Sequence, residues 1–358
     1  MMTEKPLILV INPGSTSTKI AIFEGTEMLK ELELTHQANE LANFKSSLEQ
    51  LDYRFEAVSN AIKEMGYNES DLKAAIGRGG PIKPLQSGVY HVNETLVKDL
   101  TTGQATDHAS LLGGLIAYKI SQKNNIPAYI ADPVSVDEFE DVARISGCPE
   151  LPRISLIHAL NIKAVAEEVA HEEGKNLNEV NYIVAHLGGG FSICPMRKGK
   201  LIDANNANDA GPMSPERCGT LPLQGLLKMC FSGKYDYPTL RKKLIGRGGL
   251  VAHVGTADCR EVTKMIEAGD KHAALCLEAM AYQIAKEIGA MATVLKGDVD
   301  KIILTGGVAY NKIVVDHVKE RVSFIAPIKV RPGQNEMKAL AIHAVKALKY
   351  SEIIKEYK

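Results

Sequence analysis

The chain contains no tryptophan, and aromatic residues make up only 5% of its 358 residues. Stacking platforms for bases or sugar rings are poorly supplied. Charge of one sign is lacking too: 42 basic residues face 43 acidic ones, a formal net charge of -1. That balance excludes a basic footprint for nucleic acid or for an anionic membrane surface. No run approaches the roughly 20 apolar residues of a membrane helix. The opening "MMTEKP" carries mixed charge ahead of a short apolar run, Leu7 to Ile11. It is not read as a secretory leader, and a cytoplasmic location is expected. The six cysteines show no CxxC spacing and no HExxH pair occurs, so reduced thiols are expected rather than disulfides or a metal site. There is no GxxxxGK[ST] P-loop, and no GxGxxG follows a strand in a βαβ setting. Low-complexity segments are absent.

What is present is a pair of hydroxyl- and glycine-rich turns between apolar strands. "LILVINPGSTSTKIAIF" offers more hydrogen-bonding groups than a hairpin turn needs. Backbone N–H groups, hydroxyls and Lys19 make phosphate the first candidate ligand. The stretch "NYIVAHLGGGFSICPMRKGKLI" repeats the plan of "LILVINPGSTSTKIAIFEGTEML", with a gap of about two residues in the second turn. Asn12 and His186 fall in equivalent places, close to half a chain apart. A third turn, "LTGGVAYN", sets Gly306 and Gly307 between a strand and a helix start, a natural nucleotide position.

Around these turns strands and helices alternate. Apolar spacing predicts a helix through Phe44, Leu48, Leu51, Phe55, Val58 and Ile62, ended by Gly66. Further helices are expected in "HASLLGGLIAYKISQKNN", "HALNIKAVAEEVAHEEG", "DKHAALCLEAMAYQIAKEIGAMATVLKG" and "EMKALAIHAVKALK". Short strands are expected in "LKAAIGRGG", "IPAYIADP" and "VDKIILTGG". The class is therefore α/β. An apolar fraction of 45% suits full cores, and the length suits about two domains. "ARISGCPELPRIS" is the candidate linker.

At this level of detail the chain resembles the acetate-kinase-type members of the actin/hexokinase/Hsp70 ATPase superfamily. The resemblance runs through essentially the whole chain. It is carried by "VINPGSTSTKIA", "GRGGPIKP", "DPVSVDE", "ARISG", "IVAHLGGG", "SPERCGTLP", "GRGGLVAHVGTADCREV", "EAMAYQIAKEIGAM" and "LTGGVAYN". Within that family it is most similar to the butyrate and branched-chain fatty acid kinases. The resemblance implies a duplicated ribonuclease-H-like fold with a nucleotide cleft between domains. It implies a first domain over 1–150 plus 337–358 for acyl substrate and phosphate, and a nucleotide domain over 151–336. ATP/ADP and Mg²⁺ are implied, with a small-molecule carboxylate as acceptor and an acyl phosphate as product. A homo-oligomer, dimer or higher, is expected.

The same resemblance assigns residues. Arg78 is similar to the arginine that binds the carboxylate, for which a guanidinium fork is suited. Arg217 resembles the arginine that stabilises the transition state. His186 resembles a histidine bonded to a phosphoryl oxygen, and His158 a further transition-state histidine. "LIHALN" departs from the family run, and a buried structural histidine is the alternative for His158. His108 matches a substrate-side histidine, with helix capping as its alternative. Asp132 resembles the aspartate that orients the reacting groups; an ionised carboxylate needs little general base. Asn12 and Glu336 fall on the magnesium side, although acids also favour helix starts. For the nucleotide the match points to Asn12, Ser15, Ser17, Lys19, His186, Gly188, Gly189, Gly190, Asp258, Arg260, Gly306, Gly307 and Asn311. Asp258 and Arg260 have an ordinary ion pair as their alternative.

Acetate kinases usually carry a branched residue where this chain has Gly80 and Phe where it has Ile157. Both differences are expected to widen the acyl pocket and favour butyrate. One methylene is worth roughly 1–3 kcal/mol, so the preference would be graded. The rivals are an acetate or propionate kinase, a sugar kinase using Asp132 as base, and an actin-like filament or chaperone ATPase. Two candidate transition-state arginines favour acyl transfer over sugar phosphorylation.

Overall fold

The computed structural model describes residues 5–102 and 107–358. Residues 1–4 of the opening segment, and 103–106 with the threonine of "TDHASLLGG", lie outside the described residues. The chain divides into two compact units, 1–137 with 335–358, and 138–334.

The first unit is built on six strands: β1 (Leu7–Pro13), β2 (Ser17–Glu24), β3 (Glu27–Thr35), β4 (Ala74–Arg78), β5 (Val89–His91) and β6 (Ala128–Ala131). Their order is β3-β2-β1-β4-β6-β5. β1, β2 and β3 form an antiparallel meander, β1, β4 and β6 run parallel, and β5 pairs antiparallel with β6. The expected helices appear at Leu51–Glu64, Leu111–Asn124 and Glu336–Lys349. The first starts later than its apolar spacing suggests, because residues 42–47 form turns and a 3-10 turn covers Leu48–Gln50.

Central strands of this unit are apolar on both faces because helices cover them. Leu9, Ile11, Ile20 and Ile22 are fully buried with Val58, Ile62, Leu112 and Ile116. Each such side chain contributes about 1.5–3 kcal/mol. Helix Leu111–Asn124 lies against β4 with backbones in contact: a Cβ on Gly77 would stand 2.0 Å from the Gly113 carbonyl. This approach, open only to glycine, fixes where β4 ends and hence where Arg78 emerges. Helix Glu336–Lys349 packs on β1 and β4, so its first residue arrives beside the ends of both strands.

The second unit repeats the scheme with β7 (Asn181–Leu187), β8 (Phe191–Arg197), β9 (Lys200–Leu201), β10 (Lys301–Gly306) and β11 (Ile328–Pro332). The order β9-β8-β7-β10-β11 matches β3-β2-β1-β4-β6, with the same sense at every pairing. The duplication expected from the sequence is therefore structural. Asn12 pairs with Lys19 and His186 with Ser192, each the last-but-one residue of its strand, and the glycine turn is one residue tighter. Helix Lys271–Val294 buries Cys276, Leu277, Met280, Ala281, Ile284, Ile288 and Met291 at three- and four-residue spacing. They form one core with Ile183, Ile193, Ile302 and Leu304.

The sequence places domain boundaries at 150/151 and 336/337, whereas the compact units part at 137/138 and 334/335. The segment "ARISGCPELPRIS" is not a free linker. Arg153 Nη1 donates to the Ala143 carbonyl at 2.6 Å, and its Nη2 to the Ala204 carbonyl at 2.9 Å and to Asp203 at 2.8 Å. Glu138 accepts from Lys163 at 2.7 Å. These bonds tie 138–153 to the second unit. Among the described residues no helix is long and apolar enough to cross a membrane.

Candidate active site

In the first unit three expected residues meet on one carboxylate. Glu336 is buried, and its Oε2 accepts from Asn12 Nδ2 at 2.9 Å and from Arg78 Nη1 at 3.3 Å. Asn12 is the last-but-one residue of β1, Arg78 ends β4, and Glu336 starts the C-terminal helix.

The first glycine–hydroxyl turn is held from behind. Arg54, fully buried on helix Leu51–Glu64, donates from Nη1 to the carbonyls of Gly14 (2.8 Å) and Ser17 (3.1 Å) and to Thr18 Oγ1 (3.1 Å). Its Nη2 donates to the Ser15 carbonyl at 3.0 Å and its Nε to Gln50 at 3.0 Å. One guanidinium thus draws the turn's carbonyls inward, which leaves Ser15 and Thr16 exposed on the outer side. Burial lowers the pKa of Arg54. Ser17 Oγ donates to Glu33 Oε1 at 2.8 Å, and Lys19 Nζ lies 3.7 Å from Glu33 Oε2, so β3 restrains both.

Asp132 follows β6 in a left-handed conformation, φ +39°, a geometry that aspartate tolerates better than most residues. It is buried; Oδ1 accepts from Ser87 Oγ and from the Gly88 amide, both at 2.7 Å, and Oδ2 lies 3.1 Å from His343 Nε2. This is the environment of an anchor. His108 has an exposed side chain, and its Nδ1 accepts from the Ser110 amide at 3.2 Å and meets Ser110 Oγ at 2.7 Å. Both contacts are to Ser110, the residue that precedes helix Leu111–Asn124. Gly80 leaves no vacant volume: a Cβ there would stand 2.3 Å from Leu111 Cδ2. The space that the sequence comparison ascribed to a wider pocket is taken by Leu111. Ile157 is buried and belongs to the other unit.

In the second unit His158 and His186 stack, ring centroids 4.1 Å apart and planes 11° from parallel. His186 is fully buried; its Nδ1 meets Asn161 Nδ2 at 2.9 Å, and Asn161 also donates to Thr305 Oγ1 at 3.3 Å. Its Nε2 lies 3.4 Å from the Gln334 side-chain amide nitrogen, so both ring nitrogens meet side-chain amides. His158 Nδ1 lies 2.9 Å from Ser192 Oγ.

The "LGGG" turn is lined by the "SPERCGT" loop. Ser214 Oγ donates to the Gly189 carbonyl at 2.6 Å, and the Glu216 amide donates to it at 3.3 Å. A Cβ on Gly189 would lie 2.5 Å from Glu216 Oε2, and one on Gly190 2.4 Å from Arg217 Cζ. These glycines make room for a guanidinium. Among the described residues Arg217 has no ion-pair partner; burial lowers its pKa and Glu216 partly offsets that.

A cavity of about 870 Å³ in this unit gathers Gly188, Gly189, Asp258, Arg260, Gly307 and Asn311, with Glu216, Tyr310 and Gln334. Asp258 caps helix Cys259–Glu267 and is gripped by Arg260, Nε to Oδ1 at 2.9 Å and Nη2 to Oδ2 at 2.7 Å. Its hydrogen bonds to Arg260 push its pKa down to about 2. Asn311 caps helix Lys312–Val322 and donates to the Cys259 carbonyl and Thr263 Oγ1, at 3.1 and 2.9 Å. Gly306 passes so close to Leu187 that a Cβ would stand 2.4 Å from its carbonyl oxygen.

Arg54, Asn161, Thr305, Gln334 and His343 escaped the sequence analysis. The available signal was a polar residue on an apolar helical face, as with Arg54 between Leu51 and Val58.

The model of the acetokinase family matches residues 155–348. The probable butyrate kinase 2 of Caldanaerobacter subterraneus subsp. tengcongensis is 53% identical over 350 residues, 98% of this chain and 99% of the relative. Among solved structures, acetate kinase of Porphyromonas gingivalis superposes with a TM-score of 0.79 at 17% identity, covering 96% of this chain and 100% of that one. A propionate kinase from Francisella tularensis gives 0.75 at 18%, covering 94% and 98%. These likenesses extend the duplicated α/β fold over nearly the whole chain. With the half-chain family match and the full-length relative, they establish that the chain belongs to the acetokinase family.

Proposed function

We propose that the protein is a short-chain fatty acid kinase that converts butanoate and ATP to butanoyl phosphate and ADP. The observation that carries the assignment to carboxylate phosphorylation is the meeting of Arg78 and Asn12 on Glu336, beside a turn whose carbonyls are drawn back by Arg54. The choice of butanoate is supported by the full-length likeness to the probable butyrate kinase 2 of Caldanaerobacter.

The reaction joins two anions. A carboxylate oxygen of the acid attacks the γ-phosphorus in line, the bond to the ADP oxygen breaks, and no proton need be removed. Arg78 supplies a fork for the acid, and its contact with Glu336 keeps the guanidinium aimed before substrate arrives. Arg217, lying over Gly190, is free to meet charge building on the transferring phosphoryl group. His186 turns its Nε2 edge toward Gly188 and the Gln334 side chain, where it would meet a phosphoryl oxygen. Asp132 acts by holding the Ser87–Gly88 turn. Gly188, Gly189, Gly307 and the Asp258–Arg260 pair would line the nucleotide site.

Mg²⁺ prefers a few oxygens and retains water. Glu336 Oε1 and Asn12 Oδ1, the two oxygens not engaged in their mutual bond, fit that preference, and these residues would hold the ion. When bound it would neutralise phosphate charge. We further propose a homo-oligomer formed through the second unit, supported by the exposed Leu275 and Tyr282 on helix Lys271–Val294; light scattering tests it.

The deciding experiment is an ATP- and Mg²⁺-dependent hydroxylamine trap across acetate, propionate, butanoate and isobutanoate, with glucose as a control. A hydroxamate signal peaking at four carbons and lost in Arg78→Ala and Arg217→Ala is expected. A peak at acetate would leave the mechanism and remove the chain-length assignment. Glucose phosphorylation without hydroxamate would sink both.

A further inference from the structure

Helix Lys271–Val294 carries His272 and Cys276 four residues apart, hence on one face. The short helix Gly249–Val254 brings His253 against that face. The three ligand-type atoms all lie within 4.8 Å of one another, with Cys276 Sγ 3.6 Å from His272 Nε2. The two imidazoles are exposed while the thiol is buried. None of the three belongs to the phosphoryl-transfer machinery described above.

We propose that His253, His272 and Cys276 form a transition-metal site of the Zn²⁺ class, with its fourth position open to water. One thiolate and two imidazoles are borderline-soft ligands that select Zn²⁺, Co²⁺ or Cu over Mg²⁺ or Ca²⁺, which prefer oxygen. Tetrahedral Zn²⁺ with bonds of about 2.0–2.3 Å needs its ligand atoms roughly 3.3–3.8 Å apart. The present spread closes to that by rotation of two solvent-facing imidazoles. Cys276 binds as thiolate, and its proton passes to solvent. This departs from the sequence expectation of simple reduced thiols. The metal pattern is invisible there because His253 is distant in sequence.

The site has a mechanical connection to Arg217. At the other end of helix Gly249–Val254, the amides of Leu250 and Val251 donate to the carbonyls of Ser214 and Pro215, at 3.2 and 3.0 Å. A metal joining His253 to helix Lys271–Val294 therefore pins the loop that carries Arg217.

The test uses full-length protein stripped by a chelator and titrated with Co²⁺. One equivalent per chain should produce intense tetrahedral visible bands and a thiolate-to-cobalt charge-transfer band, and Zn²⁺ should abolish both. Cys276→Ser should lose the charge-transfer band, while Cys230→Ser, at an exposed position, should keep it. His253→Ala and His272→Ala should each weaken affinity at least tenfold; both side chains are exposed, so these variants remain informative if Cys276→Ser fails to fold. Zn²⁺ at about a hundred times its Kd should raise Tm by about 5 °C. No charge-transfer band in the wild type, a band surviving in Cys276→Ser, or unchanged affinity in His253→Ala would overturn the site. Co²⁺ bound only at His158 and His186 would lack the sulfur band and would overturn it too.

Discussion

Arg54 Nη1 and the Gly14 carbonyl oxygen are 2.8 Å apart inside the first unit, and the rest of the guanidinium serves the same turn. A buried charge is answered here by main-chain carbonyls, the Thr18 hydroxyl and the Gln50 side-chain amide. Arg54→Met should strand these acceptors and destabilise the protein by on the order of 3 kcal/mol. Urea unfolding measures it. A loss below 0.5 kcal/mol, taken as roughly the scatter of neutral surface changes, would show that the turn holds itself.

His36 stands next to that cation, buried, with Nε2 2.8 Å from Thr18 Oγ1. Burial and then Arg54 lower its pKa from 6.5 to about 4. The folded ring is therefore neutral where the unfolded ring takes a proton. Between pH 6.5 and about 4 the unfolded state binds more protons, so stability falls as pH falls through that window. The loss should reach roughly 2–3 kcal/mol and be absent in His36→Asn. Identical pH dependence in the two proteins would refute the assignment.

Gly190→Ala places a methyl 2.4 Å from Arg217 Cζ. The guanidinium must move, so kcat should drop about 100-fold, the scale of losing one transition-state donor. Tm should change little, because only a side chain is displaced. Retained kcat would mean Arg217 works from another position.

Glu336→Gln keeps the shape of the group facing Asn12 and removes its charge. If Glu336 and Asn12 hold Mg²⁺, the Mg²⁺ concentration for half-maximal rate should rise at least about tenfold. A chelator should abolish activity reversibly. An unchanged Mg²⁺ dependence in the variant would return Glu336 to a purely structural role beside Arg78.

Leu111 fills the volume over Gly80, close to the strand end that presents Arg78. Leu111→Ala should shift the ratio of kcat/KM toward longer acids by up to about tenfold. Hydroxamate yields across three to six carbons measure the shift. No change would place the acyl chain elsewhere.

The sequence by itself determined the α/β class, the internal duplication, the family and most helix and strand positions. These depend on local periodicity and on glycine turns, which are written in neighbouring residues. The equivalence of Asn12 and His186 was legible for the same reason. Tertiary structure alone decided what each polar residue touches. Glu336 meets Asn12 and Arg78 from the far end of the chain. His343 reaches Asp132, and Asn161 meets His186. Gly80 read as an opening because a missing side chain in sequence resembles space; in three dimensions Leu111 occupies it. Packing at near-crystalline density leaves few vacancies, so a local absence says little about volume until its distant neighbours are known.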